Sequence, residues 1–137
     1  MQTTTSSGSR TILYSCPCTA SGTNSVNYEI DVSKFRDPAG NKALTSTCQD
    51  GRDGRVQDWI ATDPRMDAVL HSVLCIADDA KTTKASHVSI GFTDHHGQWA
   101  SVALVELAAQ HLRKEQYDVV IFHRVAGTRN ASSCSAT

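Results

Sequence analysis

Chemistry in this chain would gather around two short stretches dense in titratable and hydrogen-bonding side chains. The first is Thr93-Asp94-His95-His96-Gly97 with Ser101 just beyond it; the second is His123-Arg124, and Asp31 stands alone upstream. Histidine titrates near neutrality and serves as acid, base or metal ligand. Arginine binds phosphate and carboxylate through a planar fork of donors. Two adjacent histidines beside Asp94 raise the question of a metal, yet neighbouring loop side chains point apart and no third ligand is fixed by spacing. The expectation is therefore no metal and no cofactor. Cys16-Pro17-Cys18 has a one-residue gap that zinc sites do not use, and no second pair follows it. Nucleophile elbow, Gly-x-x-x-x-Gly-Lys loop and recognisable triad are all missing, so no catalytic residue is assigned. The alternative is a small enzyme acting on a phosphorylated metabolite, with His95, His96 or His123 as acid or base.

The elements that must position these residues follow from hydrophobic spacing. Val88, Ile90 and Phe92 alternate as a strand, a loop runs over 93–99, and Val102, Val105, Ala109 and Leu112 line one face of a helix. The apolar run 119–122 then forms a second strand. This is one βαβ unit with a right-handed crossover, which sets the loop at the carboxyl end of the first strand and at the positive end of the helix. Anions are favoured there because the first backbone N–H groups of a helix lack partners. Thr93, His95, His96, Gly97, Ser101, His123 and Arg124 thus fall at one sheet edge as candidate phosphate or ligand contacts. Arg124 is equally readable as half of a surface ion pair.

Upstream, 11–15 reads as a strand, 21–24 as a loop and 26–32 as a second strand. Asp31 reads as a loop-capping carboxylate, and joins the same edge if the strands are parallel. Between 37 and 55 the composition predicts a long connection with little regular structure, carrying Lys42, Arg52 and Arg55 as possible sources of positive charge. Val56, Trp59 and Ile60 mark a short helix. Asp63-Pro64 makes a helix start, with Met66, Val69, Leu70, Val73 and Leu74 on its core face to about Ala77. The predicted fold is a single α/β domain over 11–124, a small, mostly parallel sheet of about four strands with helices on its faces. Polar tails at 1–10 and 125–137 are expected to be disordered.

Composition bounds the function. A chain of 137 residues with 39% hydrophobic content suits one domain with a real core, and its formal net charge of -1 argues against a strongly basic nucleic-acid binder. Any RNA contact must rest on a local cluster, for which Arg113, Lys114, Arg124 and Arg129 are the nearest candidates. Arg113 and Lys114 also complement the negative end of the helix they close. No apolar run is long enough to cross a bilayer and no signal peptide is evident. The five cysteines form no even disulfide framework, and a cytoplasmic setting is expected.

Several motifs together carry a family resemblance. Ile90-Gly91-Phe92-Thr93, Gly97, Ser101-Val102, Glu106 and His123-Arg124, preceded by Ile30-Asp31-Val32, Asp37-Pro38, Leu44-Thr45, Asp53, Val56 and Trp59, resemble the C-terminal domain of the RNase adapter RapZ, a bacterial regulator. The likeness spans roughly 12–124. It implies a non-catalytic adapter module that recognises a phosphorylated amino sugar and a regulatory RNA, within a homo-oligomer, and it makes Asp31 a ligand contact. The chain departs from the family pattern in its loop. Asp94-His95-His96 lengthens that loop, Trp99-Ala100 replaces a His-Arg pair, and Phe92, Ser33 and Ala39 stand where the family has Cys, Arg and His.

Overall fold

A computed structural model describes residues 8–17, 26–35, 40–95 and 97–124. The elements are β1 (Arg10–Pro17), β2 (Tyr28–Asp31), α1 (Lys42–Thr45), α2 (Gly54–Ala61), α3 (Met66–Thr82), β3 (His87–Asp94), α4 (Ala100–Lys114) and β4 (Asp118–His123). The strands form one sheet in the order β2-β3-β1-β4, and every pairing in it is parallel. This is the small α/β domain that the apolar spacing predicts.

Side chains alternate along a strand, so the register decides which residues share a face. On one face Leu13, Ile90, Phe92, Val119 and Ile121 meet Val56 and Ile60 of α2, Val73 and Ala77 of α3, and Leu104, Ala108 and Leu112 of α4 in a single cluster. Full burial of a side chain the size of Leu13 or Phe92 contributes about 1.5–3 kcal/mol. On the other face Ile12, Tyr14, Val120 and Phe122 are only half-buried, and no helix packs there among the described residues.

The described helices that pack on the sheet lie on one of its faces. The connection from β1 to β2 runs in the opposite direction across the sheet from those that follow. Val26 lies across Gly91, where an added Cβ would come within 3.3 Å of the valine, and the Asn27 amide donates to Ser89.

Local signals explain the other differences. Asn41 accepts from the amides of Ala43 and Leu44 and caps α1, a short helix inside the stretch expected to be irregular. Asp63 does not cap α3 directly. Its carboxylate accepts from the Arg65 amide, closing a turn through Pro64, and the helix starts at Met66 and runs on to Thr82. At the N-terminus the boundary of the expected tail moves: Arg10 opens β1, and buried Ser9 donates its hydroxyl to the Ala85 carbonyl. The rest of that tail, the 21–24 loop, His96 and the tail at 125–137 lie outside the described residues.

Candidate functional site

Two neighbouring strands send the chain in opposite directions, β1 outward past β3 to β2 and β3 outward past β1 to β4. The crevice between their carboxyl ends is the topological switch point, where open α/β sheets bind ligands. Cys16 and Pro17 stand on one side of it, Thr93 and Asp94 on the other. Gly97 folds the following loop back onto β1. Its φ is +68° and an added Cβ would fall 2.7 Å from the Pro17 nitrogen, so glycine is required on two counts.

Successive residues at this edge face opposite sides of the sheet. Asp94 faces the helices, and its carboxylate accepts from the Gly97 amide, from the Ser101 amide at 2.9 Å and from the Ser101 hydroxyl at 3.2 Å. Trp99, the cap position of α4, makes no side-chain cap bond; Asp94 satisfies the helix start from seven residues upstream. Gly97 and Ser101, expected to meet a ligand, instead give these amides to the chain's own carboxylate. The adjoining cleft, lined by Val32, Ser33, Phe35, Asp94, His95, Trp99 and Ala100, encloses about 20 Å³. That holds water but not a sugar phosphate.

His123 also faces the helices. Its Nε2 donates to Glu106 of α4 at 2.7 Å, and its Nδ1 lies 2.8 Å from the Ser15 hydroxyl. Ser, His and Glu in a row resemble a hydrolytic relay, but Ser15 is 0% exposed and cannot reach a substrate carbonyl. Both ring nitrogens are engaged, so the imidazole ties β4 to β1 and α4. Glu106 belongs to the resemblance motif, whereas Ser15 could be found only from the register that pairs it with His123.

The opposite side of the edge carries a row of its own. Asp31 pairs with Thr93 and Thr93 with Cys16, and the Arg124 amide donates to the Ser15 carbonyl at 2.8 Å, which sets Arg124 beside Cys16. A carboxylate, a hydroxyl, a thiol and a guanidinium thus cross the sheet in line. The Arg124 guanidinium lies 4.5 Å from the centre of the Tyr14 ring, itself stacked on Phe122. Burial pushes the Cys16 thiol up, and the charge of Arg124 partly opposes this. Hydrogen bonds from Ser33 hold the exposed Asp31 carboxyl below its ordinary range, with smaller help from Lys34 and His95. Thr93 is 1% exposed, and its hydroxyl has no hydrogen-bond partner. A buried hydroxyl left in that state costs about 1–3 kcal/mol.

The expected ligand residues therefore divide. Asp31, Thr93 and Arg124 share the side away from the helices, Thr93 buried and the other two exposed; Gly97, Ser101 and His123 belong to the helix side; His95 is exposed on the connecting loop. The RNA candidates separate as well. Arg113 and Lys114 close α4 at the amino end of the strands, with Arg113 donating to the Val119 carbonyl, while Arg124 sits at the carboxyl end. Arg129 lies outside the described residues.

Sequence reasoning also missed a repeated pattern, Asp-x-Arg at 50–52, 53–55 and 63–65. In each, the aspartate accepts from the backbone of the residue two further on and pairs with that residue's side chain. Buried Asp50 holds Arg52 at 2.6 Å and lies close enough to His123 to feel its charge. Gly51 between them donates to the Gln98 carbonyl, and an added Cβ would fall 2.3 Å from the Trp99 carbonyl oxygen, pinning this loop to the start of α4. Among the described residues no group of three or more His, Cys, Asp or Glu converges as for a metal, and no helix is long and apolar enough to cross a membrane.

A parallel sheet with a polar row at its switch point defines a domain of the α/β class with its candidate site at the carboxyl edge. Residues 14–127 match the RapZ C-terminal domain, and the chain belongs to that family. Its relatives include a nucleotide-binding protein of Dinoroseobacter shibae, 31% identical over 109 residues, covering 77% of this chain and 36% of the relative. A nucleotide-binding protein of Ruegeria sp. strain TM1040 is 39% identical over 79 residues, 55% of this chain and 26% of the relative. Another, from Cereibacter sphaeroides, is 34% identical over 87 residues, 61% of this chain and 29% of the relative. The chain thus spans only part of the length of these relatives.

Proposed function

We propose that this domain is a non-catalytic binding module that takes a phosphorylated small molecule, of the amino-sugar phosphate class, at the carboxyl edge of its sheet. The observation that carries the reading is the buried Thr93 hydroxyl without a partner, set at the switch point in line with Arg124 and Asp31. Thr93 supplies a donor to a phosphate oxygen, Arg124 the opposing charge, and Asp31 an acceptor for an amine or hydroxyl. Family membership supports a binding or adapter role, and the relatives' description as nucleotide-binding proteins agrees with a small anionic ligand. His123 is held in a part-buried chain of hydrogen bonds that engages both ring nitrogens, which weighs against the enzyme reading at that residue.

We place the protein in the cytoplasm, as a self-associating domain whose half-buried Ile12, Tyr14, Val120 and Phe122 supply an apolar contact surface. RNA recognition draws less support, since its basic candidates stand at opposite ends of the sheet; self-association would be needed to multiply the patch. A thermal-shift panel of phosphorylated sugars at millimolar concentration tests the reading. A ligand that binds only the folded state raises the melting temperature with the logarithm of its concentration, and Arg124→Ala should remove the rise. A flat response to every compound overturns the proposal, and turnover of any of them overturns its non-catalytic part.

A further inference from the structure

We infer that Asp94 is the specificity-determining residue of this edge: its carboxylate occupies the anion position at the start of α4, so an incoming phosphate is confined to the Thr93 and Arg124 side. The inference deepens the binding reading above and rests on it for the second half only. Anions settle at helix starts because unpartnered amides and the positive helix end converge there. Here the Gly97 amide and the Ser101 amide and hydroxyl all donate to Asp94, which is 7% exposed. A phosphate arriving at the same groups would displace three hydrogen bonds and stand beside a like charge. One residue earlier on the same strand, the Thr93 hydroxyl is buried, unpartnered and turned to the other face.

The side chain available to receive the ligand and the side chain that excludes it are thus consecutive. Asp94 also closes the loop, since the Gly97 bond holds the glycine against Pro17. Substituting it therefore does two separable things: it loosens the loop and it vacates the amides. Asp94→Gly does both. Asp94→Asn removes the charge and keeps one oxygen, which can still accept from the Gly97 amide and the Ser101 hydroxyl while the acceptor of the Ser101 amide is lost, and so tests the charge with the loop held.

The experiment follows backbone amide resonances of the full chain during titration with inorganic phosphate, alongside the two variants, whose peak dispersion reports folding. In the parent, the Gly97 and Ser101 amides should stay unmoved at millimolar phosphate. In Asp94→Gly both should shift saturably, with apparent affinity at least about tenfold tighter, about 1.4 kcal/mol. Asp94→Asn should fall between. Saturable movement of Gly97 and Ser101 in the parent, equal to that in the variants, overturns the inference. So does the absence of movement in both folded variants, and a folded Asp94→Asn alone suffices if Asp94→Gly unfolds. Movement of Thr93 and Arg124 is read separately. If they stay still while the variants gain phosphate at Ser101, the binding site proposed above is wrong and the role of Asp94 stands.

Discussion

Thr93 and Asp94 are neighbours on β3, both buried and turned to opposite faces, yet their polar atoms have opposite fates. The carboxylate of Asp94 collects three donors from the loop and helix that follow it; the hydroxyl of Thr93 collects none. The difference comes from what covers each face. Around Asp94 the helix side is a packed layer in which a loop, α4 and the Asp50 turn close on one another, so its carboxylate had partners to find. On the other side of this edge no helix packs among the described residues, and the Thr93 hydroxyl, though buried, has no hydrogen-bond partner.

The sharpest way to break this comparison is to disturb the closed side. Gly51→Ala forces a Cβ to 2.3 Å from the Trp99 carbonyl oxygen and 2.4 Å from the Ala103 nitrogen, both backbone atoms that cannot turn aside. The expected loss is about 3 kcal/mol in urea unfolding. A loss under about 1 kcal/mol would mean the helix side is as yielding as a surface.

A smaller effect separates the two aspartates of the edge. Asp94→Ala should cost about 2 kcal/mol, because it strips the start of α4 of its cap and leaves buried donors unmet. Asp31→Ala removes one exposed turn bond and should cost about 0.5 kcal/mol or less. Equal losses in matched denaturation curves would erase the distinction between the sides.

Acid exposes the smallest difference. Burial works to raise the Asp50 carboxyl, but hydrogen bonds from Arg52 and its charge outweigh it, so the folded value lies below the ordinary one. The stabilisation from a lowered carboxyl is present above about pH 4, where the unfolded group is ionised, and fades as pH falls through the lower folded value. Arg52→Ala should therefore flatten the loss of stability between about pH 4 and pH 2. An unchanged acid limb in urea midpoints would show that the pair is not coupled to folding.

Much of the fold was legible because hydrophobic spacing reports it directly. Val102, Val105, Ala109 and Leu112 mark α4, and the alternation to Phe92 marks β3; both fall where the structure has them. That the described helices share one face was not legible, because it follows from strand order and not from any local pattern. The candidate residues were gathered to one edge but not divided between its faces, since spacing cannot say which face a strand end presents without its register. Asp94 was weighed beside His95 and His96 as a metal ligand and set aside, while its role as a loop-closing cap bonded to Gly97 and Ser101 went unread. Ser15 gave no local signal at all. Its partner is a histidine far along the chain, and only the pairing of β1 with β4 joins them.

The central claim, that the open side of the edge is built to be completed by a ligand, is tested most directly by Thr93→Val, with Thr11→Val as its control. Both hydroxyls are buried without a partner, one at the carboxyl end of the sheet and one at the amino end. Removing either should raise the unfolding free energy of the unliganded protein by about 1 kcal/mol. Thr93→Val alone should also abolish the thermal shift given by a sugar phosphate that stabilises the parent. A Thr93→Val protein that is less stable and still shows the full ligand shift would contradict the account.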